Sequence, residues 1–170
     1  MSEQKKNVEI EEAIREKLTG DAQKNALDFF SSMREHEITC EYFDIGNYTG
    51  WYPTYKDKGF GCILINPYRD NTDKKIGIYI GLELDLSNLI PLDDEMKENI
   101  LAHVRICPTQ RCSPPYCNVE NSGHECKNRW KIFGIEYEST CHSPLEFIDP
   151  DVKTYENIKK LLLMADMQRL

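Results

Sequence analysis

The sequence predicts an α+β domain: a small antiparallel sheet with helices packed mainly on one face, in the order α-α-β-β-β-α-(Cys-rich loop)-β-α. Three observations predict it. Strand-like runs gather in the middle of the chain while helical periodicity occupies both ends, the pattern of an antiparallel sheet carrying segregated helices. The 170 residues suit one domain. No internal repeat, low-complexity tract or linker divides residues 1–170, which are read as a single unit.

Ile10, Ile14 and Leu18 recur at i, i+4 and i+8 within Val8 to Leu18, one apolar face of a short helix. Gly20 stops it, and Asp21 is placed to cap a second helix over 22–36 with Ala26, Leu27, Phe30 and Met33 inward. Three strands are then expected: Ile38 to Phe43, Gly59 to Asn66, and Lys75 to Leu84, where Ile76, Ile78, Ile80, Leu82 and Leu84 alternate at period two. Pro67 to Asp73 reads as the turn joining the last two into a hairpin. Asp93 or Asp94 caps a third helix with Met96, Ile100, Leu101 and Val104 at helical spacing. Pro108, Pro114, Pro115 and Gly123 make 107–128 an irregular loop. Trp130 to Glu138 reads as one further strand. Asp149-Pro150-Asp151 opens a last helix through Met167, with Tyr155, Ile158, Leu161, Leu162 and Ala165 inward.

Composition narrows the function classes. Apolar residues at 40% supply a core, and no apolar run nears the ~18 residues of a membrane helix. The start runs directly into charged helical pattern without a secretory h-region, so a soluble cytoplasmic domain is expected. A net charge of −8 argues against wholesale binding to nucleic acid or an anionic membrane. Between His103 and Lys131, however, Arg105, Arg111, Lys127, Arg129 and Lys131 outnumber Glu120 and Glu125, which makes the Cys-rich segment locally basic.

Seven cysteines are many for a reducing compartment, and Cys107, Cys112, Cys117 and Cys126 fall close together with the spacing C-x4-C-x4-C-x8-C. Thiolates are soft ligands that suit tetrahedral Zn²⁺, and a Pro- and Gly-rich loop can wrap four of them around one ion. These four are the expected ligands of a structural zinc. His103, His124, Cys141 and His142 can each substitute for a thiolate. The paired C-x2-C knuckle is absent, so free loop cysteines, disulfides and an iron–sulfur cluster stand as alternatives. Neither H-E-x-x-H nor a deaminase P-C-x-x-C accompanies the cluster, which argues against catalytic zinc.

The segment 130–151, WKIFGIEYESTCHSPLEFIDPD, followed by IKKLLLM at 158–164, resembles the C-terminal part of a group of short proteins of unassigned function encoded by anaerobic bacteria. In that group a Cys-, Gly- and Pro-rich loop precedes the same strand and terminal helix. The resemblance implies a self-contained domain and carries over no catalytic residue.

A second signal is aromatic. Tyr42, Phe43, Tyr48, Trp51, Tyr52, Tyr55 and Phe60 crowd nineteen residues, and Gly46, Gly50 and Pro53 give the stretch a loop-like reading. Tyr42, Tyr48, Trp51, Tyr52 and Tyr55 are expected to line a small-molecule site, with cations favoured by the acidic body. Equally, the rings can bury one another as a satellite core. Asp93, Asp94, Glu95, Asp149 and Asp151 read as helix-start charges rather than catalytic pairs. The expected function is therefore a ligand-binding or accessory module with structural zinc. A thiol-dependent enzyme or redox protein using Cys141 or Cys62 is the first alternative. The second is a protein- or nucleic-acid-interaction module using the basic Cys-rich loop.

Overall fold

The computed structural model describes residues 3–45, 48–56, 58–65, 75–81, 92–106, 129–138 and 140–167. Among them are four helices: α1 (Glu3–Lys17), α2 (Gly20–Glu35), α3 (Asp94–Leu101) and α4 (Val152–Met167). The strands are β1 (Thr39–Ile45), β2 (Tyr48–Tyr55), β3 (Lys58–Gly59), β4 (Gly61–Ile65), β5 (Ile76–Ile80), β6 (Val104–Ile106), β7 (Trp130–Ile132), β8 (Ile135–Tyr137) and β9 (Thr140–Ile148). The main sheet runs β1-β2-β4-β5-β9-β6 with β3 beside β2, and every pairing in it is antiparallel. This is the α+β architecture that the sequence predicts.

Helix boundaries follow local chemistry. Asp93 caps α3 by accepting a hydrogen bond from the Met96 amide at 2.8 Å. Asp151 does the same for α4 through the Thr154 amide at 2.7 Å. The α1–α2 junction differs from expectation. Gly20 takes φ 63° and is the first residue of α2, Thr19 occupies the N-cap position without a side-chain bond, and Asp21 lies inside the first turn. Instead, the Gln23 amide donates to the carbonyls of Arg15 at 3.0 Å and Leu18 at 2.7 Å, satisfying the end of α1.

Directly opposed residues of an antiparallel pair share a face. Tyr42, Trp51, Ile63, Ile78 and Phe147 therefore form one transverse row across five strands. All but Tyr42 belong to the principal core, together with Ile10, Ile14 and Leu18 of the α1 region, Phe29, Phe30 and Met33 of α2, Ile100 of α3 and Ile158 and Leu161 of α4. The helices thus cover this face. α3 and α4 are joined by a hydrogen bond from Asn157 to Asn99 of 3.0 Å and by the Lys153–Glu95 ion pair.

Four elements depart from the sequence reading. Tyr48–Tyr55, taken as loop, is strand β2. Val104, expected to end α3, opens β6. Trp130–Glu138 is a tight hairpin, β7–β8, rather than one strand within the sheet, and it turns at Phe133 (φ 49°) and Gly134 (φ 82°). Two positive φ angles are what a two-residue turn of matching twist requires. β9, unanticipated, inserts between β5 and β6. Residues 66–74 and 82–91, which hold the expected β4–β5 turn and the end of the third predicted strand, lie outside the described residues. Among the described residues, no helix is long and apolar enough to cross a membrane.

Candidate functional site

Strand alternation splits the aromatic segment between two faces. Trp51 is buried at 4% exposure in the core, where its indole N–H has no hydrogen-bond partner among the described residues. Tyr55 is half-buried on that same side and carries the Lys56 ammonium 4.6 Å from its ring centroid. Tyr42, on the edge strand, meets Trp51 edge-on at 5.8 Å and is 48% exposed. Tyr52 points to the opposite face. Tyr48 contributes backbone to β2, and its side chain lies outside the described residues. Of the five residues expected to line one pocket, Trp51 and Tyr52 thus lie on opposite faces of β2.

What the register does assemble is a surface on the face away from the helices. Phe43, Gly50, Leu64, Gly77 and Ile148 form its transverse row, with two glycines alternating among three large apolar residues. Aromatic rings fill the gaps that the glycines leave. A Cβ on Gly50 would stand 2.7 Å from the Phe43 ring and 2.6 Å from the Leu64 side chain. A Cβ on Gly77 would stand 2.9 Å from the Tyr79 ring and 3.1 Å from the Ile148 side chain. Phe43 in turn stacks on Tyr52, with centroids 4.2 Å apart and planes 24° apart, and Tyr52 is 40% exposed. Leu64 and Tyr79 are buried yet stand outside the principal core cluster, as the opposite face requires.

Beside this row runs a polar one. Cys62 opposes Tyr79, and Tyr79 opposes Glu146. Glu146 pairs with the Arg105 guanidinium at 3.4 Å, and both side chains are largely sheltered, at 15% and 23% exposure. Sequence reasoning missed Glu146 and Tyr79 because their adjacency depends on β9, whose signal Pro144 disrupts.

The cysteines divide. Cys107, Cys112, Cys117 and Cys126 lie outside the described residues, and Cys141 is described only as backbone of β9. Cys40 and Cys62 are thiols, neither of them in a disulfide. Burial pushes the Cys40 thiol up to about 12, partly opposed by the Arg34 charge. Burial alone pushes Cys62 up to about 11. Reactive cysteines need the thiolate, so this environment counts against Cys62 as a nucleophile at neutral pH. Among the described residues, no three His, Cys, Asp or Glu side chains converge to hold a metal ion.

No protein-family profile matches this chain, and no curated protein or solved structure is similar to it.

Proposed function

We propose that the chain is a binding module, an accessory domain that engages a partner protein through the Tyr52 end of the sheet face that carries no helix among the described residues. In this reading structural zinc, held by Cys107, Cys112, Cys117 and Cys126, staples the 107–128 segment between β6 and β7. The observation that carries the first part is the Tyr52–Phe43 stack at the β1–β2 end of that face, where Tyr52 is exposed. Tyrosine and phenylalanine enriched on a flat apolar surface are what protein interfaces use as anchors. A ring already stacked in place loses little conformational freedom on binding. The zinc reading is supported by the donor set: four soft ligands in a short span, with Cys40 and Cys62 accounted for elsewhere as a buried and a half-buried thiol.

A photo-crosslinking phenylalanine analogue at Tyr52, introduced in the native host, tests the interface. The expected result is one dominant protein adduct, suppressed by excess unlabelled chain but not by a chain carrying Tyr52→Asp. No adduct, or an equal one from the same analogue at exposed Glu138, refutes it. Metal analysis of tag-free protein tests the staple, with expectation of one zinc per chain and four thiols that become reactive only under chelation. Absence of metal with the same thiols reactive throughout overturns that part alone.

A further inference from the structure

On the opposite side of the molecule, α2 and α4 face each other through stripes of identical spacing. Asn25, Asp28, Phe29 and Ser32 of α2 meet Val152, Tyr155, Glu156 and Lys159 of α4 across a groove of about 140 Å³. The i, i+3, i+4, i+7 repeat places side chains of each helix on one face. Phe29 and Tyr155 form the floor, with ring centroids 4.9 Å apart and both residues almost wholly buried. Val152 stands at the rim with 62% exposure, one of the few large apolar side chains the described surface leaves uncovered. The Tyr155 hydroxyl is buried without a hydrogen-bond partner among the described residues, so what the floor offers a ligand is the ring rather than the hydroxyl.

The charges on the rim are not balanced. Lys159 is engaged by Glu156 at 2.9 Å. Asp28 is exposed and has no ion pair among the described residues. The groove therefore presents one uncompensated carboxylate above an apolar floor, on a body whose net charge of −8 draws cations and repels anions. Its volume falls well below the ~300–1,000 Å³ of a drug-sized pocket, which limits the occupant to a few heavy atoms.

We infer that this groove is a binding site for a small alkylammonium ligand: the ammonium pairs with Asp28, and the alkyl chain lies over Val152 and the Phe29–Tyr155 floor. The site is independent of the sheet face and of the zinc reading.

Amide-resolved NMR of the full chain tests it with three probes of equal size, n-butylammonium, butanoate and butanol. Butylammonium is expected to give saturable shifts confined to α2 and α4 around Asp28 and Val152, in the millimolar range usual for so small a ligand. Butanoate is expected to give none. Asp28→Asn, an exposed substitution that leaves the circular dichroism spectrum unchanged, is expected to weaken butylammonium binding about fivefold, the range of a partly exposed ion pair. Equal binding of all three probes, unchanged affinity in Asp28→Asn, or no saturable shift overturns the inference. A response only to an Nα-acetyl-lysine amide, and not to free butylammonium, also overturns it and assigns the groove to a partner's lysine side chain.

Discussion

Asp149 joins the two halves of the sheet, and removing its carboxylate is expected to be among the costliest single changes in a connecting segment. Its Oδ1 accepts from the Ile76 amide at 2.9 Å while its own amide donates to the Ile76 carbonyl at 2.9 Å. This reciprocal pair continues the β5–β9 ladder one residue past Gly77↔Ile148. Asp149 does so with φ 43°, a conformation that Asp and Asn adopt more readily than other side chains. Asp149→Ala leaves the Ile76 amide without its acceptor, a loss of about 1–3 kcal/mol. Alanine adds about 1–2 kcal/mol for the left-handed backbone. Asp149→Asn keeps an acceptor and the backbone preference, and is expected to cost under about 1 kcal/mol. Asp149→Gly relieves the strain but loses the bond, so it falls between the two. Urea melts that hold the m-value fixed measure the three changes directly. At roughly 2–4 °C per kcal/mol for a chain of this size, the alanine variant is expected to melt about 4–20 °C lower. If Asp149→Asn proves as damaging as Asp149→Ala, the bond to Ile76 is not what holds this corner, and the reasoning fails.

Three further outcomes follow from the same geometry. Among glycine-to-alanine variants, Gly61→Ala is expected to be the most destabilising, because φ is 147° and the new Cβ collides with the Tyr79 carbonyl. Gly50→Ala, meeting the Ile63 carbonyl at 2.5 Å, comes next, and Gly77→Ala, meeting movable side chains, is mildest; thermal melts rank them. With its thiol near 11, Cys62 is expected to be alkylated slowly at pH 7 and faster with each rise in pH, as peptide mapping of iodoacetamide adducts would show; rapid labelling at pH 7 contradicts this. The Asp151 carboxyl is held below its ordinary value by hydrogen bonds from Thr154. Its folded-state value being the lower one, its contribution to stability is present above the ordinary carboxylate value and is lost as pH falls from there through the lower folded-state value. Asp151→Asn should accordingly flatten the acid limb of stability against pH, and an unchanged limb would contradict it.

The parts of the fold legible in the sequence were those whose period was uninterrupted. Ile10, Ile14 and Leu18 and the Asp93 and Asp151 caps announced helices, and the Ile76–Ile80 alternation announced the central strand. Proline hid the others. Pro53 lies in β2 beyond the Gly50↔Leu64 and Trp51↔Ile63 pairs with β4, opposite Cys40 of the edge strand. Pro144 lies in β9 where pairing with β6 shifts register between Val104↔Leu145 and Ile106↔Thr140. Each proline therefore sits where a missing amide is tolerated, a fact of neighbours rather than of local sequence. Phe133 hid the β7–β8 turn, because a bulky residue at positive φ is a poor turn signal. The candidate surface was legible only in part. Tyr52 stands out as an aromatic in the sequence, but Leu64 and Tyr79 reach its face through the β2–β4 and β4–β5 pairings and Ile148 only through β9, so the row is not legible in the local pattern.

The position of β9 also has a consequence during synthesis. β1, β2, β4 and β5 neighbour one another in both chain and space, so they can zip together as they leave the ribosome. β9 follows the end of β5 by about 60 residues. At about 5–20 residues per second, the Ile76–Ile80 edge waits several seconds for its partner. An unpaired apolar strand edge is a template for the wrong chain. The nascent protein is therefore most exposed to aggregation in the interval between β5 and β9, and a ribosome stalled there would release its most adhesive form.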